Sequence, residues 1–413
     1  MNKQKNKIYY VIRKIIKKNN SPFWLYKEQD ILNQIKKLKK FDVIRFAQKS
    51  CSNINILKIM KRNKLKVDAV SSGEIDRAIE AGFSSQNDEI VYTSDIFDKE
   101  TLSKVVNLNI TVNIGSIDMI KQIGKISPGH NIWLRINPKF GHGHSKKTNT
   151  GGNNSKHGIW KVKPAIKEIQ KYGLKLSGFH VHIGSGSNLH NLKKVCKYLK
   201  NKIIKMNKKI KIISSGGGIP TPYKNDEKVF DIKKYSEYWI KTKKSLENYF
   251  NQKIILETEP GRFIVSKSGF LISEVRAIKK TDKYKFVIIN VGFNDLIRPV
   301  MYGSYHKISI INMTKKDAKT KLKKKEDVVI SGPLCESGDI FTIHNNGNII
   351  TRKLKKIYVG DYLIFHDVGA YGSSMSSNYN SRPLIPEFLL TYDNKIKKIR
   401  KKQKILDLIK LEK

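Results

Sequence analysis

Short apolar runs recur along the chain at 43–47, 67–70, 90–93, 110–114, 132–136, 176–183, 210–213 and 254–257. Between them lie stretches with apolar residues at helical spacing, for example 52–63, 72–81 and 116–123. This alternation predicts strands separated by helices. Eight repeats of it across roughly 230 residues fit a closed (β/α)8 barrel better than an open sheet. After Gly261 the texture changes to β-rich segments with turns between them: FVIINV (286–291), DVVISGP (327–333) and DYLIFHDVG (361–369). The predicted fold class is α/β, a TIM-like (β/α)8 barrel followed by a mainly β C-terminal domain. The expected division is an N-terminal segment, 1–22, packing on the β domain, the barrel at 23–265, and the β domain at 266–413.

One loop departs from this alternation. FGHGHSKKTNTGGNNSKHGIW (140–160) follows barrel strand five, so it is expected at the barrel's C-terminal face, where such enzymes carry their chemistry. His142 and His144 in it have no carboxylate or cysteine at ligand spacing. A polar active-site loop, and no metal site, is the expectation.

Composition then bounds the class. A chain of 413 residues can bury a sizeable core and form two domains. It holds no apolar run of about 18 residues, and residues 1–20 are basic without an apolar segment, so neither a membrane span nor a secretory signal is expected. Cys51, Cys196 and Cys335 are too few and too scattered for a disulfide framework or a zinc site, which points to a reducing, cytoplasmic setting. The net charge of +46 first suggests a nucleic-acid binder. Yet only 11 of the 81 basic residues are arginine, whose planar fork dedicated readers of phosphate and bases use. The excess lysine, including the KLKKK cluster at 321–325, reads as drift on solvated faces. Weak nonspecific polyanion binding is its side effect, with no specific nucleic-acid partner.

Candidate chemistry gathers at strand ends. Lys49 closes the first strand, where a partly desolvated amine with a lowered pKa can act as a nucleophile and form a Schiff base; a lysine snorkelling from the barrel mouth is the commoner case. SSGGGIP (214–220) follows strand seven with three glycines, Gly216, Gly217 and Gly218, suited to holding a phosphate on backbone N–H groups. HVHIGSGS (180–187) ends strand six with His180 and His182 on one face, His182 nearer the mouth, although a core histidine is the default for either. ETEPGR (257–262) ends strand eight and places Glu259 at the mouth beside Arg262. A lysine, a phosphate cradle, a flat imidazole and a carboxylate around one mouth describe a pyridoxal 5'-phosphate site, with the acid paired to the pyridinium nitrogen.

FAQK (46–49), HIGSG (182–186), GGG (216–218), EPGR (259–262), FNDLIRPVMYGSYH (293–306), GPLCESGD (332–339) and GAYGSSMSSNYNSRP (369–383) together resemble the diaminopimelate decarboxylases. These are barrel-type pyridoxal phosphate enzymes related to ornithine decarboxylase and alanine racemase. The resemblance runs in the family's order from about Ser21 into the C-terminal region. It implies that Lys49 carries the cofactor and His182 stacks on its ring. It implies further that Gly216 to Gly218 and Gly261 hold the phosphate, with Ser185, Pro260 and Arg262 in the same cofactor-binding set. The implied reaction is decarboxylation of meso-2,6-diaminopimelate to L-lysine and CO2, the last step of lysine biosynthesis.

The residues agree with that implication. Loss of CO2 leaves a carbanion, and an acid at 259 keeps the ring that absorbs its charge protonated. The far end of the substrate carries a carboxylate and an ammonium, best met by an arginine fork and an acid. Arg298 and Tyr302, with Arg262, are the candidates for the first, and Glu336 for the second. Cys335 is the candidate general acid that protonates the product carbon, and Tyr371 resembles the family tyrosine that touches cofactor phosphate and substrate. In the family the CESGD loop reaches the partner subunit's site, so an isologous homodimer with shared active sites is expected. Two other readings stay open at this point: a decarboxylase of another basic amino acid or a racemase of the same superfamily, and a noncatalytic polyanion-binding protein that kept the barrel.

Overall fold

The computed structural model describes residues 2–19, 22–143, 146–313, 325–344 and 346–413. The expectations for His144 and for most of the KLKKK cluster fall outside these residues. Two units make up the chain: one of Asn33–Pro222 and Lys228–Ile264, the other of Met1–Leu32, Tyr223–Glu227 and Val265–Lys413.

The first unit is a closed barrel of eight parallel strands: Val43–Ala47, Lys66–Ala69, Ile90–Ser94, Thr111–Ile114, Asn131–Arg135, Lys175–His180, Ile212–Ser214 and Ile255–Thr258. All eight expected apolar runs are barrel strands. Six of the helices between them begin on Asn53, Ser71, Asp98, Ser116, Asn188 or Asp231, whose side-chain oxygen accepts a backbone N–H from the first turn. Such caps satisfy donors that would otherwise be orphaned and fix where each strand-to-helix turn stops.

Side-chain alternation organises the barrel interior. Val91, Trp133 and Ile212 form a buried apolar cluster. Two residues further along the same strands come Thr93, Arg135 and Ser214, all buried and polar. With a period of two these share the inward face and lie closer to the C-terminal mouth. The interior therefore passes from an apolar floor to a polar layer beneath the mouth, the side on which barrel enzymes place their chemistry.

The second unit is built on a mixed sheet. Its strands run in the order Arg352–Lys355, Lys325–Ser331, Lys285–Ile289, Gly269–Lys280, Phe23–Lys27, Glu387–Leu390 and Ile396–Arg400; Tyr362–His366 pairs with the long strand 269–280 and with Ile308–Ile311. This is the mainly β domain expected from the sequence, with its boundaries changed: residues 23–32 and 223–227, expected in the barrel, belong to this unit. Phe23–Lys27 was expected to open the barrel region at residue 23. It pairs antiparallel with 269–280 and parallel with 387–390, at the middle of the sheet. Phe23, Trp24, Leu25 and Tyr26 are fully buried, and a run so uniformly apolar fits a central strand of either unit, so local pattern does not choose between them. The helix Asn2–Ile16 covers the same sheet: Val11, Ile12, Ile15 and Ile16 share one buried cluster with Phe23, Leu25, Phe270, Ile272 and Phe388.

Among the described residues no helix is long and apolar enough to cross a membrane, and no group of three or more His, Cys, Asp or Glu is arranged to hold a metal ion.

Candidate active site

The barrel mouth is assembled from the ends of strands one, two, five, six, seven and eight. The first strand stops at Ala47, and residues Gln48–Ser50 form a 3-10 turn in which Gln48 and Ser50 are buried and Lys49 is exposed. The expectation of a partly desolvated lysine is corrected here: the strand stops at Ala47, and the turn that follows buries Gln48 and Ser50 on either side while directing Lys49 outward. The turn itself is fixed. Ser50 Oγ donates to Ala47 O at 2.9 Å, and Gln48 Nε2 donates to Glu74 O at 2.7 Å. Gly261 packs directly against it, since a Cβ there would lie 2.9 Å from Ser50 Oγ and 3.1 Å from Ala47 O.

The three glycines after strand seven form a close-packed cradle. A Cβ on Gly216 would fall 2.4 Å from Val181 O, on Gly217 2.6 Å from Glu259 O, and on Gly218 2.3 Å from Gly184 O. Gly216 and Gly218 also have φ of +61° and +93°, which side-chain-bearing residues rarely adopt. Gly216 O accepts from Glu259 N, and Gly218 O accepts from Gly186 N and Ser187 N. Gly216 N itself donates to Ser214 Oγ, so with these carbonyls engaged by the chain the N–H groups left for a ligand are those of Gly217 and Gly218, the polarity an anion requires.

His182 lies against this cradle: the Cβ positions of Gly217 and Gly218 would be 3.7 and 3.3 Å from its Cε1. Burial, reinforced by the positive charges of Arg135 and Lys49 and by His180, pushes its pKa well below the ordinary value, so the ring is neutral and flat. Its buried Nδ1 has no hydrogen-bond partner. Residues 148–150 of the expected polar loop pack here too, through Thr150 Oγ1 donating to His182 O and Thr148 O accepting from Ser185 N. Ser185 Oγ in turn accepts from Arg262 Nε at 3.1 Å.

Glu259 sits in the polar layer, almost fully buried. Burial alone would raise its pKa. The His180 imidazole, 2.8 Å from Oε2, and Ser214 Oγ, donating to Oε1 at 2.9 Å, outweigh that and hold it down at about 2. Asp68, across the same interior, is driven the other way, up to about 6, by burial and by the charge of Glu259. His180, expected by default to be a core residue, is thus a partner of the acid.

Within the barrel unit the structure brings together Lys49, His182, Ser185, Gly216 to Gly218, Glu259, Pro260, Gly261 and Arg262. His180, Ser214, Asp68 and Arg135, which the motifs did not single out as site residues, complete the polar layer. The only signal for them in the sequence is a polar residue at the C-terminal end of an otherwise apolar strand. The set fits pyridoxal phosphate: a reachable amine, a glycine cradle that any Cβ would fill, a neutral ring with an unsatisfied nitrogen, and an anionic acid.

The remaining candidates belong to the β unit: two separate groups and, apart from both, Tyr371. Arg298 opens the short helix Arg298–Tyr302 and is buried. Its guanidinium donates to Tyr223 OH and Ser304 Oγ, and to His306 Nε2 at 3.2 Å. Because a guanidinium only donates, His306 Nε2 accepts and Nδ1 donates to His366 O, which makes this imidazole neutral. Tyr302, half-buried, ends the same helix. The second group is the GPLCESGD loop, folded around Asp339, whose carboxylate accepts from Phe293 N and Leu334 N. It presents Cys335 and Glu336 to solvent, tied by Cys335 N donating to Asn380 Oδ1 and Tyr379 OH donating to Glu336 Oε1. Tyr371 is held at φ +56°, a strained conformation for a residue with a side chain.

The comparisons with known proteins agree with this reading. The family model for the pyridoxal binding domain of pyridoxal-dependent decarboxylases matches residues 28–266. A diaminopimelate decarboxylase of Buchnera aphidicola subsp. Schizaphis graminum (strain Sg) is 57% identical over 414 residues, which is 100% of this chain and 99% of the relative. A crystal structure of a diaminopimelate decarboxylase superposes with a TM-score of 0.90 at 48% identity, covering 95% of this chain and 93% of the other. The Helicobacter pylori diaminopimelate decarboxylase complexed with L-lysine superposes with a TM-score of 0.84 at 29% identity, covering 97% and 99%. The chain belongs to the pyridoxal-dependent decarboxylases, and among them to the diaminopimelate decarboxylases.

Proposed function

We propose that the chain decarboxylates meso-2,6-diaminopimelate to L-lysine and CO2, closing lysine biosynthesis, with pyridoxal phosphate as cofactor. The observation that carries the reading is the barrel mouth itself, where an exposed lysine, a glycine cradle, a neutral histidine and an anionic glutamate converge. The cofactor supplies an aldehyde for amines and a ring that draws off the electron pair left behind when CO2 departs.

Lys49 would hold the cofactor by its aldehyde, since its amine is exposed at the mouth on a rigid turn. Gly216 to Gly218 and Gly261 would hold the phosphate, helped by Ser185, Pro260, Arg262 and Tyr371. His182, kept neutral, offers a flat uncharged face and adds no positive charge that would compete with the ring for electrons. Glu259 stays ionised at neutral pH and would therefore favour a proton on the ring nitrogen of a bound cofactor, the condition under which the ring is a strong acceptor. For the substrate, the Arg298 fork, fixed in place by Tyr223, Ser304 and His306, suits the distal carboxylate, with Tyr302 and Arg262 beside it in role and Glu336 for the distal ammonium. Cys335 would return a proton to the carbon that lost CO2. An exposed working thiol needs a reducing compartment, which supports a cytoplasmic location. We also infer a homodimer in which the loop carrying Cys335 and Glu336 serves the site of the partner. Its exposure on the β unit, with both chemically active side chains presented outward, supports that arrangement.

The test is incubation of the purified protein with pyridoxal phosphate and meso-diaminopimelate, followed by amino-acid analysis. L-Lysine and CO2 in equal amounts are expected, with little turnover of ornithine or alanine and a borohydride-fixed cofactor recovered on Lys49. Preferential release of CO2 from ornithine, or racemisation of alanine, would overturn the substrate assignment.

A further inference from the structure

The acid beneath the barrel mouth does not stand alone. His180 Nε2 is 2.8 Å from Glu259 Oε2, and both side chains are buried, at 2% and 6% exposure. Ser214 Oγ donates to the other carboxylate oxygen. Sheet register brings the two donors to one level: His180 pairs with Ser214, and Ser214 with Glu257 on the strand that leads to Glu259. One donor on each oxygen fixes the plane of the carboxylate and leaves each oxygen a further lone pair.

We propose that His180 is a positioning residue for the decarboxylation: with Ser214 it fixes the orientation and the negative charge of Glu259, the acid that serves the cofactor's ring nitrogen. The inference rests on the assignment of Glu259 made above. A histidine that merely filled the core would need no carboxylate partner, and a carboxylate this deeply buried needs a donor to remain charged.

The surroundings explain why the donor matters. Glu259 and Asp68 are two carboxyls in one small interior, and like charges so placed cannot both ionise freely. Arg45 and Arg135 are the nearby permanent cations, and Lys49 and His182 lie at the mouth side. The positive charges of Arg45 and Arg135 act on both carboxyls, so they do not by themselves choose between them. His180 does choose, because its hydrogen bond goes to Glu259 and not to Asp68. Asp68 is then the member displaced upward, with its buried Oδ1 unpartnered. The role also fixes the imidazole tautomer: Nε2 carries a proton toward Glu259, and Nδ1 is left as a buried nitrogen with no hydrogen-bond partner.

Three measurements test this. His180→Leu should lower kcat roughly tenfold to a hundredfold, the worth of a buried hydrogen bond to a charge, while changing KM less. Its acid limb in kcat/KM should move up by about one pH unit or more, because Glu259 without its donor takes a proton more readily. His180→Gln, whose amide N–H reaches the same oxygen, should recover most of kcat and return the acid limb toward wild type. In the cofactor-free protein, the 15N resonances of the His180 ring should show a proton on Nε2 and should shift in Glu259→Gln. Wild-type kcat and pH profile in His180→Leu would overturn the proposal. So would a His180 ring indifferent to Glu259→Gln, a reading that remains decisive even where the leucine variant fails to fold. Failure of the wild-type protein to produce lysine would instead count against the proposed function, while the cofactor-free ring measurement would still decide the His180–Glu259 pairing.

Discussion

Gly216 is a residue at which the phosphate cradle leaves no room for a side chain. Its φ of +61° is costly for any other residue, and a Cβ there would meet Val181 O at 2.4 Å and the His182 Cβ at 3.0 Å. Neither neighbour can yield cheaply, because one is strand-end backbone and the other carries the imidazole at the mouth. Gly216→Ala should therefore cost about 1–3 kcal/mol of stability and, by displacing His182, weaken pyridoxal phosphate binding at least tenfold, or roughly 1.4 kcal/mol. Urea unfolding and absorbance titration of the cofactor-free protein read the two effects separately, and an alanine variant that binds as tightly as wild type would refute the cradle. Residues like Gly216 were legible because their chemistry is local: GGG, FAQK and EPGR each state a role within a few positions. His180 was not, since the carboxylate that gives it meaning lies 79 residues away. Lys49 was legible as a lysine just beyond the first strand but not in its exposure, because exposure there depends on which way the turn 48–50 faces each side chain rather than on the strand's apolar pattern.

Among the barrel's elements, the seam between first and last strands is the weakest in main-chain terms. Its register has two residue pairs, Val43 with Glu257 and Ile44 with Thr258, whereas each of the other seven seams has at least three. Arg45 and Glu257 clamp it with two hydrogen bonds, 2.9 and 3.1 Å, both side chains fully buried, and Arg45 also donates to Val67 O and Asp88 O and lies 5.1 Å over Trp133. Glu257→Gln would strand a guanidinium in the interior and should cost roughly 3–5 kcal/mol, far more than the same change on the surface. An urea midpoint close to wild type would show that the clamp is dispensable. A second element-scale effect lies at the helix Ser72–Glu80, where Ser71 Oγ accepts from Glu74 N and Glu74 Oε2 accepts from Val70 N. Burial raises the Glu74 carboxyl to about 7 from an ordinary 4.5. The folded chain thus keeps a proton that the unfolded chain releases, so this group's contribution is full below pH 4.5 and is lost as pH rises through 7. Glu74→Gln should therefore gain on wild type in urea midpoint between about pH 5 and about pH 8, and a gap that closes over that range would reverse the sign. Barrel strands were readable as elements because each apolar run is bounded by a helix-period stretch. Phe23–Lys27 was readable as a strand in kind and not in allegiance, for its partners begin more than 240 residues later.

For the whole molecule, a net charge of +46 governs how copies and polyanions meet, not which fold forms. Two chains each so positive repel at long range, so a stable dimer must rest on short-range contacts and should tighten with salt, as screening over about 8–10 Å removes the repulsion. The homodimer proposed here makes a sharper demand. If the loop with Cys335 completes the site of the partner, a Lys49→Ala chain lacks its own cofactor amine but can still lend Cys335, and a Cys335→Ala chain has the amine but no acid to lend. Each homodimer is then inactive, Lys49→Ala outright and Cys335→Ala at the protonation step while still binding cofactor. A mixed dimer has one site with both defects and one with neither. Random exchange makes half the dimers mixed, each with one good site of two, so activity should return to about a quarter of wild type. Mixing without exchange should return nothing, which separates hybrid formation from contamination. If thorough exchange, verified by mass, leaves the mixture dead, Cys335 acts within its own chain or not at all, and the shared site is wrong while the barrel assignment of Lys49, Glu259 and the glycine cradle is untouched.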